Sequence, residues 1–129
     1  MVVRKVAFLA SIIFSSSAGA LPSKPLTPAN KVQIAKAVKD ILKDPDSAKF
    51  RWPKPQDWGL YCGWVNAKNS YGGYTGFEPF MIIGGVGSGP KSKGEFLIIK
   101  TTIGSGDEEA VVLSMCTKQG FDMTSPPPE

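Results

Sequence analysis

Two stretches of the 129-residue chain decide its fold: residues 60–66, which read LYCGWVN, and residues 77–83, which read FEPFMII. Both are rich in the aromatic and β-branched residues that are enriched in strands. Gly72 and Gly73 lie between them and favour a turn, so we expect the two stretches to pair as a hairpin. Pro79 predicts an edge strand or a bulge, because proline donates no hydrogen bond to a β-ladder.

The flanking residues extend this hairpin into a larger sheet. Residues 95–103 form a third apolar stretch and predict a strand, whereas the glycine-rich residues 84–94 predict a long connecting loop. Residues 50–52 begin a short strand that two prolines interrupt. Alternation along residues 60–66 predicts that one face of this strand is buried and the other exposed. We therefore expect a small antiparallel sheet of three to five strands.

An N-terminal helix is predicted just before the sheet. Thr27 followed by Pro28 is a helix-start signal, and Pro45 ends the helix near Lys43. Apolar residues fall on one stripe at helical spacing: Ile34, Val38, Ile41 and Leu42. The fold class is therefore α+β, with an N-terminal amphipathic helix packed on the sheet.

Residues 107–119 leave two alternatives open. The acidic residues 107–109, Lys118 and Gly120 stand where a helix favours them, at its first turn, its last turn and just beyond its end. Residues 111–113, which read VVL, are also compatible with a strand. We favour the helix.

The first twenty residues read as a secretory signal peptide. Arg4 and Lys5 precede an apolar run of nine residues, 6–14, interrupted only by Ser11, and small residues follow at 18–20, so cleavage is expected after Ala20. Nine residues rise only about 14 Å as a helix, against about 30 Å for a bilayer core, so no stable membrane anchor is expected. The expected location is periplasmic or secreted.

The remaining chain is expected to form a single domain. Residues 21–27 read as an extended lead-in, residues 28–121 as one α+β domain, and residues 122–129 as a disordered, proline-rich tail. In an oxidising compartment Cys62 and Cys116 predict one structural disulfide. A redox-active pair is the alternative, but it usually needs Cys-x-x-Cys spacing.

Composition excludes several classes of function. The chain has no histidine, which excludes Ser-His-Asp and Cys-His catalysis and histidine metal ligands, and two cysteines cannot build a four-thiolate site. Without the signal peptide, 13 basic and 11 acidic residues leave a net charge of +2, and no basic run suggests a nucleic-acid partner. Residues 84–91, GGVGSGPK, are not a phosphate-binding loop, because Pro90 stands directly after Gly89, where such a loop requires lysine. We predict no metal site, no cofactor and no catalytic residue.

The densest aromatic region marks the candidate binding surface. Nine aromatic residues fall between Phe50 and Phe80, and part of this set must form the core. Polar and aromatic side chains meet in the segment 66–77, which suits a binding surface for a glycan or a protein; packing in the core or in the turn is the alternative for its tyrosines. Its candidate binding residues are Asn66, Asn69, Tyr71, Tyr74 and Thr75.

Two motifs resemble those of a group of small, mostly uncharacterised exported proteobacterial proteins. Residues 42–50, LKDPDSAKF, resemble the first signature. Residues 61–69, YCGWVNAKN, with residues 72–77, GGYTGF, resemble the second, and Cys116 matches a late cysteine. The resemblance implies an exported, disulfide-bearing domain and assigns no catalytic residue.

These observations favour a non-enzymatic binding or accessory protein of the bacterial envelope, with an envelope protein or a glycan as its partner. The alternative is a small histidine-free hydrolase acting on cell wall or lipid. Such an enzyme would need a cleft that holds two carboxylates, or a lysine beside a serine.

Overall fold

The fold is α+β, with two helices and one four-stranded antiparallel sheet, in a computed structural model that describes residues 25–56, 59–86 and 96–129. The strand order is β1-β2-β3-β4. The elements are α1 Pro28–Lys39, a 3₁₀ turn Pro45–Ser47, β1 Lys49–Arg51, β2 Leu60–Asn66, β3 Glu78–Val86, β4 Phe96–Ile103 and α2 Glu108–Lys118. The predicted signal peptide, residues 1–20, and most of the predicted lead-in lie outside the described residues.

The predicted hairpin is present as β2 and β3, with Cys62 opposite Met81 and Trp64 opposite Pro79. The prediction of an edge strand or a bulge at Pro79 is wrong, because β3 is a central strand and Pro79 pairs in register. The carbonyl of Pro79 accepts the Gly104 N–H at 2.7 Å. In an antiparallel strand, the backbone nitrogen and carbonyl oxygen of one residue point toward the same neighbouring strand. The nitrogen of Pro79 therefore points toward the end of β4, where the ladder stops.

Strand β3 runs further than expected. Residues 84–86, predicted to begin a loop, pair with β4, and the rest of that predicted loop lies outside the described residues. The irregularity in the ladder falls between Ile83 and Gly84 rather than at Pro79. A Cβ atom at Gly84 would collide with the carbonyl of Leu97, so a glycine is required where the two backbones approach this closely.

The core is built on both faces of β2, which corrects the expected alternation of buried and exposed residues. All residues from Leu60 to Val65 are buried, and only Asn66 is half-buried. One face carries Cys62, which is bonded to α2, and the other carries Tyr61, which packs on aromatic rings. A central strand covered on both sides buries every side chain, so alternation disappears.

Phe80 is the centre of an aromatic cluster on the second face. Its ring lies over Gly63, where a side chain would collide with it, and it is fully buried. Phe50, Trp52 and Tyr61 surround it with ring centroids at 6.0, 6.2 and 6.2 Å. Much of the aromatic density of the sequence therefore serves the core.

Tyr61 in this cluster also carries a buried polar group. Its hydroxyl donates to the carbonyl of Pro53 at 2.8 Å, which fixes the chain after β1. Burial raises the pKa of the Tyr61 phenol above its ordinary value, since the charged form would lose its hydration.

Helix α1 begins at Pro28, with Thr27 as its N-cap. The Thr27 hydroxyl accepts the Asn30 N–H at 3.1 Å, and the Asn30 side chain accepts the Thr27 N–H at 3.2 Å. The helix ends at Lys39, not near Lys43: the Asp40 N–H still bonds four residues back, but the N–H groups of Ile41 and Leu42 bond only three residues back. Ile41, expected on the apolar stripe, is consequently 53% exposed.

Residues 108–118 form the helix that we favoured over a strand, and Cys116 within it is bonded to Cys62. The predicted disulfide is therefore present and ties α2 to the centre of the sheet.

The chain remains packed after α2. Phe121 and Met123 are buried in the core cluster, so the packed domain extends beyond the expected boundary at residue 121. Further along the segment expected to be a disordered tail, the side chain of Glu129 lies 3.1 Å from the Arg51 guanidinium. This ion pair is exposed on the glutamate side and contributes little to stability.

Candidate functional site

The segment 66–77 folds into an ordered extension of the hairpin. Lys68 and Tyr74 form an isolated β-bridge, and the Asn69 N–H donates to the Gly73 carbonyl at 2.9 Å. The side-chain oxygen of Asn69 accepts two further backbone N–H groups, from Tyr71 and Gly73. Asn69 therefore shapes the tip of the loop, as asparagine side chains often do in turns.

Asn66 has a similar structural role at the base of the loop. Its side-chain oxygen accepts the Gly76 N–H at 3.2 Å. Gly76 has a φ of 103°, a conformation that glycine adopts without steric cost. Two of the five predicted binding residues, Asn66 and Asn69, thus hold the backbone in position.

Ser47 anchors this loop to the 3₁₀ turn. Its hydroxyl accepts the Lys68 N–H at 2.8 Å and donates to the Asp44 carbonyl at 2.8 Å. The Ser47 carbonyl in turn accepts the Tyr74 hydroxyl at 3.0 Å. The two sequence motifs, far apart in the chain, therefore meet through one serine.

Replacing Ser47 with alanine is expected to loosen the loop and to lower the free energy of unfolding by about 1–2 kcal/mol, because the partly buried Lys68 N–H loses its acceptor. Urea denaturation measures the loss, and amide hydrogen exchange at Lys68 should accelerate. Ser70→Ala is the matched control, since Ser70 is exposed on the same loop and should change stability by less than about 0.5 kcal/mol. Equal effects of the two variants would contradict the anchoring role of Ser47.

The two tyrosines of the loop have different environments. Tyr71 is 96% exposed at the loop tip. Tyr74 is 43% exposed, and two ammonium groups approach its ring: Lys49 Nζ lies 4.6 Å and Lys68 Nζ 5.6 Å from the centroid. Tyr71 can contact a ligand directly, whereas Tyr74 also fixes the loop and holds two cations.

An open groove of about 690 Å³ lies beside this loop, and we call it the binding groove. The loop contributes Asn69 and Thr75 to it, but Asn66, Tyr71 and Tyr74 do not line it. The groove is formed by the segment after α1, the facing ends of β2, β3 and β4, and the start of α2. Its lining residues are Ile41, Leu42, Lys43, Val65, Ala67, Lys68, Asn69, Thr75, Glu78, Lys100, Thr101, Thr102, Ile103, Ser105 and Glu108.

Sequence reasoning missed most of this lining. The sequence pattern puts Ile41 on the apolar stripe of a longer helix, and it puts Thr101 and Thr102 in a strand without indicating a binding role for them. A signal was available in Lys68, Glu78 and Lys100, charged residues at or near the ends of three strands that an antiparallel sheet can bring to one side. Without the register, the sequence did not indicate that these ends share a groove with the segment after α1.

The groove carries charges that are free to meet a ligand. Lys43, Lys68 and Lys100 line it together with Glu78 and Glu108. Within the described residues, the ion pairs join Lys36 to Asp40 and Arg51 to Glu129, outside the groove. A ligand with polar or charged groups would therefore find unpaired partners there.

The described residues contain no group of three or more His, Cys, Asp or Glu side chains arranged to hold a metal ion. The lining of the groove includes two carboxylates, Glu78 and Glu108, and two small hydroxyl side chains, Thr102 and Ser105.

Comparison of the chain with protein-family models, with curated proteins and with solved structures finds no match.

Proposed function

We propose that this chain is an exported binding or accessory protein of the bacterial envelope, and that it captures its partner in the binding groove and on the adjoining loop 66–77. The observation that carries this proposal is the groove itself, which the loop 66–77 helps to line and whose charged side chains have no ion-pair partner among the described residues. Its volume falls in the usual range for small-ligand sites, about 300–1,000 Å³.

The lining suits recognition of a polar ligand. Val65, Ala67 and Ile103 supply an apolar part, and Thr75 and Thr101 supply hydroxyl groups. Sites of this kind combine apolar contact area with a few polar groups that fix the orientation of the ligand. Tyr71, exposed at the tip of the loop 66–77, adds an aromatic surface, which is a frequent anchor in binding interfaces.

The proposed location rests on the disulfide. The bond between Cys62 and Cys116 is typical of an oxidising compartment outside the cytoplasm. In the described part of the chain, no helix is long and apolar enough to cross a membrane. Together with the signal-like residues 1–20, the disulfide favours a periplasmic or secreted protein.

Blocking the groove is expected to weaken capture. Immobilised oxidised protein is incubated with solubilised envelope extract, and bound proteins and glycans are identified by mass spectrometry. Thr75→Trp fills the groove from the loop side, and Tyr71→Ala removes the exposed ring. Each should reduce recovery of the specific partner by about tenfold, the equivalent of one well-placed contact.

Thr117→Trp is the matched control, because Thr117 is exposed on α2 and does not line the groove. All three variants should unfold at nearly the wild-type temperature, since each position is exposed. A partner recovered equally by wild type, Thr75→Trp and Tyr71→Ala would show that binding occurs elsewhere.

A histidine-free hydrolase is the second candidate, and the presence of Glu78 and Glu108 in one groove favours it. Paired carboxylates are the usual acid and base, or acid and nucleophile, of glycoside hydrolysis. If the protein is such an enzyme, it should release reducing ends from purified cell-wall glycan, and either Glu78→Gln or Glu108→Gln should abolish release. Turnover that persists in both variants would exclude this role for the pair.

A further inference from the structure

We infer that the ligand of the groove is an acidic saccharide, one whose sugar rings carry carboxylate groups. The feature that points to this class is the ring of Tyr74 with the two lysines around it, Lys49 and Lys68, of which Lys68 also lines the groove. This inference rests on the proposed function and specifies the chemistry of its ligand.

Two ammonium groups converge on one small surface at the loop. Lys49 Nζ and Lys68 Nζ lie 4.6 and 5.6 Å from the centroid of the same ring, that of Tyr74. Within the described residues, neither lysine has an ion-pair partner. The negative face of the ring partly offsets the repulsion between them, and a bound anion would offset more of it.

The charge of the whole groove agrees with an anionic ligand. Lys43 and Lys100 line it together with Lys68, so its lysines outnumber Glu78 and Glu108. Lys49 does not line the groove, but its ammonium group lies at the same Tyr74 ring as that of Lys68 and adds a fourth positive charge next to the groove. The acidic residues of the neighbouring turn, Asp44 and Asp46, do not line the groove.

Features beyond charge distinguish a saccharide from a simple anion. Tyr71 is 96% exposed at the tip of the same loop that carries Lys68 and Tyr74, and it offers a flat apolar surface on which a sugar ring can lie. The groove also presents hydroxyl groups at Thr75, Thr101 and Thr102, which match the donors and acceptors of sugar hydroxyls. An inorganic phosphate chain can also accept hydrogen bonds from these hydroxyl groups, but it has no ring to lie on Tyr71.

The test uses tetragalacturonic acid as probe, with its neutral methyl ester and a short polyphosphate as comparison ligands. Calorimetric titration should show the acid binding about tenfold or more tightly than the ester, and weakening as salt rises from about 20 to about 300 mM. Lys49→Gln combined with Lys68→Gln should weaken acid binding by about tenfold, whereas Lys118→Gln, outside the groove, should leave it unchanged.

Each outcome separates the inference from the function on which it rests. Equal binding of acid and ester would overturn the anionic preference and leave the groove as a saccharide site. Equal loss of acid and polyphosphate binding in the double variant, with Tyr71→Ala without effect, would show capture of charge alone. If neither saccharide binds, the ligand class is wrong, and the envelope capture with Thr75→Trp decides the binding function separately.

The glutamine variants test ligand contacts rather than folding. The Ser47 hydroxyl bonds to the backbone N–H of Lys68, which glutamine retains. Unchanged thermal unfolding of the double variant would confirm that the loop stays in place.

Discussion

Phe80→Ala should lower the free energy of unfolding by about 3–5 kcal/mol, the range for removing a buried phenylalanine from a core. Phe80 is fully buried and contacts three aromatic rings, and its own ring fills the space above Gly63. Alanine would leave a cavity that Phe50, Trp52 and Tyr61 are too rigid to fill. Urea denaturation monitored by tryptophan fluorescence measures the loss.

Phe77→Ala is the matched control for this prediction. Phe77 lies three residues away and is only half-buried, and its ring faces the Arg51 guanidinium at 4.8 Å. Its loss should cost clearly less, about 1 kcal/mol. If Phe80→Ala cost no more than Phe77→Ala, Phe80 would not be the centre of the core.

Removing the disulfide should have an effect of similar size. The bond between Cys62 and Cys116 joins residues 54 positions apart, and the chain-entropy relation for such a loop gives about 4 kcal/mol. Both cysteines are fully buried, so Cys62→Ala with Cys116→Ala also loses packing around them. In a domain this small, that amount is a large share of the net stability.

Chemical denaturation with and without a reductant tests the disulfide directly. Wild-type protein should become less stable when dithiothreitol is added, whereas the double alanine variant should not respond. A wild-type protein that keeps its denaturation midpoint after complete reduction would contradict the role given to this bond.

Local composition was sufficient to predict the central hairpin and to favour a helix over a strand at residues 107–119. Residues 60–66 form β2 with the same boundaries, since aromatic and β-branched side chains dominate there. The acidic first turn of α2 and Lys118 in its last turn outweighed the strand propensity of Val111 and Val112. Both signals act within a few residues, so tertiary contacts were not needed to interpret them.

The wrong predictions depended on contacts between distant segments. Pro79 is tolerated in a central strand because the ladder with β4 ends beside it, which the sequence of β3 does not reveal. Gly84 is required by the approach of Leu97, and residues 84–86 therefore continue a strand where their composition suggests a loop. Ile41 keeps helical spacing, yet the hydrogen-bond pattern tightens at its own N–H, which bonds three residues back to Val38.

The candidate site was only partly predictable for the same reason. The loop 66–77 is marked by its polar and aromatic residues, and Asn69 and Thr75 do line the groove. The opposite wall comes from residues 41–43, from the end of β4 and from Glu108. These segments come together only in the folded chain, through the register of the sheet and the positions of residues 41–43 and Glu108 beside it. No pattern in the sequence indicates this arrangement.

Chemical-shift mapping tests the central claim, that the binding groove is the functional surface, most directly. Isotope-labelled oxidised protein is titrated with the water-soluble fraction of an envelope extract, and backbone amide shifts are followed. We predict that the largest changes fall on amides of the groove: Lys68, Asn69, Thr75, Thr101 and Thr102. Changes confined to the outer face of α2, such as Val111 and Met115, or no changes at any extract concentration, would contradict the account.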